Sequence, residues 1–128
     1  MWFFNNVVKP VSGTAARIQF YLYYYNNVAS LANAIRNLAY LGGSTNMAQA
    51  LRYARTWIFN PSYGDRADVP NVIILVSGGQ PDSQAAVLDE VRMIKDLGIT
   101  VIGIGVTTSV SDYIIRTCIS RSPAMIVL

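Results

Sequence analysis

Histidine is absent from this 128-residue sequence, and cysteine occurs once, at Cys118. Without histidine there is no usual triad base, and the commonest zinc ligand is missing. A single cysteine excludes an intrachain disulfide and any multi-cysteine zinc site. Charge is scarce as well: 13% of residues are charged, against about 25% in an average domain. The ten basic residues form no run and outnumber the seven acids by only three. A nucleic-acid footprint would gather its basic residues on one face, so no nucleic-acid partner is expected. No stretch reaches the roughly 20 apolar residues a spanning helix needs, so no membrane insertion is expected. Residues 1–10 lack the basic start and apolar run of a signal peptide. The only Asn-x-Ser/Thr triplet begins at Asn60 and is spoiled by Pro61.

What is present is apolar. Hydrophobic residues make up 52% of the chain, enough for the core of one domain at this length. Residues 1–11 read as a short helix, with Trp2, Phe3, Val7 and Val8 apolar and Pro10 ending it. Alternation of Ile18, Phe20, Leu22 and Tyr24 with polar and tyrosine positions predicts a strand over 17–25. Ser30 is placed to cap a helix running to about Leu38. After the break at Gly42-Gly43-Ser44, a second helix is predicted over 45–58, with Met47, Ala50, Leu51, Ala54 and Ile58 on its buried stripe. Residues 60–70 hold two prolines, a glycine and two aspartates, and read as a loop.

The run Val72-Ile73-Ile74-Leu75-Val76 predicts a strand over 71–77 covered on both faces. Pro81-Asp82 then opens a helix to about Leu97. Val87, Leu88, Val91 and Ile94 are expected inside, and Asp89, Glu90, Arg92, Lys95 and Asp96 in water. Gly98 stands where a helix is closed by a left-handed residue. A second doubly covered strand over 99–106, a helix over 111–120 and a strand over 124–128 complete the pattern. The alternation predicts an α/β fold: a Rossmann-like three-layer sandwich, with a mostly parallel sheet and helices on both faces.

Several residues invite chemistry, and each has a plain structural counterpart. Gly103-Ile104-Gly105 is half of a dinucleotide fingerprint, but it lies inside a strand and not in the turn after one. There, small residues allow close packing. Gly43, Ser44 and Thr45 open a helix, whose free N–H groups can hold an anion. No lysine follows in the phosphate-loop position, and spacing alone favours Ser44 or Thr45 as the cap of that helix. Ser77 and Gly78 stand at the carboxyl end of a predicted central strand, where doubly wound sheets place ligands. The plain reading is a tight strand-to-helix turn. Asp82 reads as a cap before a metal ligand, and Cys118 as a small core residue with no histidine to activate it. Tyr21, Tyr23, Tyr24 and Tyr25 read as packing and sheet-edge residues. No two of these groups form an acid–base or nucleophile pair, so a non-catalytic role is expected.

Three segments together carry a resemblance: residues 29–51 (ASLANAIRNLAYLGGSTNMAQAL), 68–83 (DVPNVIILVSGGQPDS) and 91–106 (VRMIKDLGITVIGIGV). In this order they resemble a von Willebrand factor type A domain, and the likeness extends from about Ala15 to Leu128. The resemblance implies a role in adhesion or matrix assembly in an extracellular or secreted protein. A protein partner such as collagen or another matrix component is implied. It also implies a ligand site at the top of the sheet, where Mg²⁺ or a similar cation is held by a D-x-S-x-S loop, a threonine and an aspartate. Thr45 matches that threonine. The aspartate position falls on Gly78, and no D-x-S-x-S occurs in the chain. One neutral hydroxyl cannot hold Mg²⁺ against water, so Thr45 is expected to be vestigial and no cofactor is expected.

On this reading the chain is a single domain, 1–128, lacking the family's first central strand, a small edge strand near Asn27–Ala29 and the last helix. The strand over 17–25 should then pair with that over 71–77, or a foreign strand should fill the gap. Uncovered strand edges would favour self-association. Two other readings stay open on the residues. One is a nucleotide-binding or enzymatic doubly wound domain, motivated by Thr45 and the glycines after Ser77. The other is an intracellular scaffold of the same domain type, motivated by the lack of a signal peptide and the free Cys118.

Overall fold

A computed structural model describes residues 8–10, 16–39, 46–77 and 80–105. Two short strands, β1 (Val8–Pro10) and β2 (Ala16–Ile18), pair antiparallel with Val8 opposite Ile18. Helix α1 spans Val28–Arg36. Helix α2 spans Met47–Tyr53 and runs on as a π-helical turn over Ala54–Ile58. A 3₁₀ turn, Pro61–Tyr63, interrupts the following loop. Strand β3 (Val72–Ser77), helix α3 (Gln84–Asp96) and strand β4 (Thr100–Gly105) form a strand–helix–strand unit. Strands β3 and β4 pair parallel, from Val72 opposite Thr100 to Ser77 opposite Gly105.

The core is a wedge between α2, α3 and β4. It gathers Met47, Leu51, Val87, Val91, Ile94, Ile99 and Val101, with Ile73 and Leu75 of β3 packed against it. Val87, Val91 and Ile94 follow the three- and four-residue steps of one helix face. At the end of α3 the Ile99 N–H bonds the Ile94 carbonyl at 3.2 Å and the Gly98 N–H bonds the Lys95 carbonyl at 2.9 Å. With Gly98 at φ +73 this is a Schellman closure, as its position in the sequence predicts. It turns the chain directly into β4.

Several expectations are corrected. Residues 8–10 are strand and not helix; Pro10 suits a short edge pairing better than a helix interior. The strand expected over 17–25 ends at Ile18. Beyond it the Tyr24 N–H bonds the Tyr21 carbonyl in a turn, and the rings pack on one another instead of along a ladder. Among the described residues β2 pairs with β1 and β3 with β4, so β2 does not pair with β3.

Strand β3 is not covered on both faces either. Ile73 and Leu75 meet the core, but Ile74 is 44% exposed and Val76 59%. Strand β4 alternates too, with Val101, Gly103 and Gly105 buried and the residues between them half-buried. The apolar runs therefore hide a two-residue period that only the packing of α2 and α3 on one face reveals.

Helix starts also shift by one to three residues. Asn27, not Ser30, caps α1, its Oδ1 accepting from the Ser30 N–H at 2.8 Å. Asn46, not Ser44 or Thr45, caps α2, accepting from the Gln49 N–H at 3.2 Å. Ser83, not Asp82, caps α3, accepting from the Ala86 N–H at 3.3 Å. The helices expected over 1–11 and 111–120 and the strand over 124–128 involve positions outside the described residues. Among the described residues, no helix is long and apolar enough to cross a membrane.

Candidate functional site

The expected ligand end of the sheet is the carboxyl end of β3 and β4. The parallel register brings Ser77 beside Gly105 there. Of the residues assigned to the site, Ser77 is described and half-buried, whereas Gly43, Ser44, Thr45 and Gly78 lie outside the described residues. Asn46, the residue after Thr45, begins α2, so the chain enters that helix immediately beyond the assigned threonine. Asp82 is exposed and leads into the Ser83 cap. Cys118 lies outside the described residues.

Gly103 lies inside β4 and Gly105 is its last residue, opposite Leu75 and Ser77. Neither has a positive φ; among the described residues only Gly64 and Gly98 do. The Gly-Ile-Gly segment is therefore extended backbone with small buried residues. It does not form the turn that a phosphate would occupy.

One charged cluster was missed by sequence reading. Glu90, expected in water, is 3% exposed. Its Oε1 accepts from Arg52 Nε at 2.8 Å, and its Oε2 accepts from Arg55 Nε and Nη2 at 3.1 and 3.0 Å. Helical spacing explains the placement: Glu90 is three residues from Val87 and four from Ile94, so it belongs to the buried stripe. Two arginines from the helix packed across from it neutralise it. Arg55 lies in the π-helical turn, where the Phe59 N–H reaches back to the Ala54 carbonyl at 3.3 Å. A signal did exist in the sequence: Arg52 and Arg55 are about one turn apart, a spacing that lets both reach one carboxylate. Burial of a charge with its hydrogen bonds filled ties α2 to α3 in one register. Asp89 and Arg92 also pair at 3.2 Å, but both are exposed and the pair contributes little.

The tyrosines also differ from expectation. Tyr21, Tyr23 and Tyr24 are not at a sheet edge but form a continuous ring stack. The 3₁₀ turn adds Tyr63, whose ring lies 4.5 Å from that of Tyr21 at 13°. Gly64 fixes the approach of these two loops. It has φ +92, and a Cβ there would come within 2.7 Å of the Tyr23 backbone nitrogen. Only glycine fits both conditions.

The comparisons with known proteins agree with one another. The von Willebrand factor type A domain family matches residues 9–125. Chicken (Gallus gallus) matrilin-1 is 31% identical over 99 residues, which cover 77% of this chain and 20% of matrilin-1. Rat (Rattus norvegicus) von Willebrand factor is 40% identical over 73 residues, 56% of this chain and 16% of that protein. Human (Homo sapiens) collagen alpha-1(XX) chain is 38% identical over 73 residues, 57% of this chain and 6% of that one. The chain thus spans a fifth or less of these relatives. Among solved structures, proximal thread matrix protein 1 from the mussel byssus, with a zinc-occupied MIDAS motif, superposes with a TM-score of 0.83. It is 20% identical, over 96% of this chain and 31% of that one. At that identity the likeness concerns the fold.

Proposed function

The chain belongs to the von Willebrand factor type A domain family, and from that premise we propose that it is a non-catalytic protein-binding module of an extracellular adhesion or matrix protein. Its partner is collagen or another matrix component, or a second copy meeting it along uncovered strand edges. The single observation carrying this reading is the family match over residues 9–125, together with relatives that are matrix and adhesion proteins. The absence of histidine and of a nucleophile–base pair in the sequence supports a binding role over a catalytic one.

Contact with the partner proceeds without a metal. A hard divalent cation wants several oxygen ligands, charged ones foremost. At the carboxyl end of β3 this chain offers the neutral hydroxyl of Ser77, with Gly78 where the family carries aspartate and Thr45 as the matching threonine. These donors do not fit such an ion. Among the described residues, no group of three or more histidine, cysteine, aspartate or glutamate side chains gathers as metal ligands. Glu90 and Asp89 are already bound to arginines.

The test is binding to immobilised collagen and other matrix proteins, with and without a chelator. It is accompanied by thermal unfolding under Mg²⁺ and Mn²⁺ titration. Chelator-independent binding and an unchanged melting temperature are expected. A saturable rise in melting temperature, or binding abolished by the chelator, would overturn the metal-free reading. No binding to any matrix protein would overturn the adhesion reading.

A further inference from the structure

The largest exposed aromatic side chains of the described residues stand together. Tyr23 and Tyr24 are each 60% exposed and Trp57 is 49% exposed. Rings link them without a gap. Trp57 lies 6.4 Å from Tyr63, Tyr63 4.5 Å from Tyr21, Tyr21 5.9 Å from Tyr23, and Tyr23 5.3 Å from Tyr24. The contact at Gly64 holds the two loops that carry them. Nothing in the core calls for this arrangement, since Tyr23 and Tyr24 bury little and the wedge of α2, α3 and β4 closes without them. Its distinguishing property is redox chemistry: phenols in contact, ending at two that face water.

We propose that Tyr23 and Tyr24 form a covalent coupling site that joins two copies of this chain through dityrosine when a peroxidase and peroxide supply the oxidant. Each phenol gives up one electron and its hydroxyl proton to become a tyrosyl radical. Two radicals then form a carbon–carbon bond between ring carbons ortho to oxygen. The hydrogens on those carbons move to the oxygens, which restores both phenols. One peroxide accepts the two electrons and two protons and leaves as two waters.

The ring geometry selects the partner. Once the ring hydrogens have left, the bond between ortho carbons lies in the plane of both rings, so the coupled rings stand edge to edge and cannot remain stacked. Within the chain Tyr23 and Tyr24 are stacked at 21°, and Tyr21 and Tyr63 at 13°, so they offer each other faces. Tyr23 and Tyr24, each 60% exposed, are open to a second copy. The rings behind them widen the target of the oxidant: an electron and proton lost from Tyr21, or from Tyr63 through Tyr21, are replaced by an electron and proton from Tyr23, an exchange between identical phenols with little change in energy.

This proposal goes beyond matrix binding and does not depend on it, since the 128-residue chain is tested alone. It is treated with horseradish peroxidase and hydrogen peroxide and run on a reducing denaturing gel, which removes any Cys118 disulfide dimer. A dimer with dityrosine fluorescence is expected, and peptide mapping of the wild-type dimer should place the bond at Tyr23 or Tyr24. The double variant Tyr23→Phe/Tyr24→Phe keeps the rings and should lose most of the dimer. Tyr53→Phe, on α2 outside the stack, should keep it. A bond mapping to Tyr40, Tyr53 or Tyr113 would overturn the proposal without reference to any variant. So would dityrosine confined to monomers, or a double variant that couples as well as wild type.

Discussion

The wedge between α2, α3 and β4 and the aromatic loops around Tyr23 handle large side chains by opposite routes. In the wedge, aliphatic residues recur at helical and strand periods, and each is covered by an element distant in sequence. In the loops, aromatic residues cover one another, leaving Tyr23 and Tyr24 mostly in water. The wedge is held by burial of apolar area, which scales with how much surface leaves water. The loops are held by ring contacts and by one glycine fit, which contribute less. Stability should therefore reside in the first region, and the second should be altered without unfolding the first.

Three substitutions and one control sharpen that contrast, the largest effect first. Ile94→Ala leaves a cavity where a fully buried side chain stood and should cost about 2–5 kcal/mol in urea denaturation. A cost below about 1 kcal/mol would mean that the wedge is not the stabilising region. Glu90→Ala strands Arg55, which is 21% exposed, beside the core. Breaking such a buried pair should cost about 3 kcal/mol. Arg52, 64% exposed, is the comparison: Arg52→Ala should cost about 0–1 kcal/mol. Equal losses from the two would contradict the assignment of Glu90 as the buried member. Gly64→Ala forces a side chain into positive φ and against Tyr23 and should cost about 1–3 kcal/mol. Here the near-ultraviolet circular dichroism of the stacked tyrosines should change while the far-ultraviolet helical signal stays. A variant with unaltered aromatic bands would separate Gly64 from the stack.

Where the chain repeats a period, its elements were legible. Helix α3 and its Gly98 closure, strand β4 and the α2 stripe at Met47 and Leu51 stand close to where spacing puts them. Helix starts were displaced by one to three residues, to Asn27, Asn46 and Ser83. The cause is energetic: asparagine, serine and aspartate cap almost equally well, so composition cannot choose among nearby ones. The strand over 17–25 failed for a different reason. Alternating aromatics suit a ladder only if a partner strand is there to receive them, and the rings of Tyr21 and Tyr23 found each other and Tyr63 instead. At the candidate site, the identity of Gly78 was legible and argues directly about metal chemistry. The position of Ser77 beside Gly105 needed the parallel register.

The sequence by itself determined the family, the parallel strand–helix–strand unit and the glycine at position 78, because periodicity and residue identity are local properties. Tertiary structure alone decided which face of β3 is covered, why Glu90 is buried and how the tyrosines stack. Those outcomes depend on groups brought together from far along the chain: Arg52 and Arg55 reach Glu90 across 38 and 35 residues. No local pattern states which distant charge or ring will arrive, and the free energy of burying one is settled only when its partner is in place.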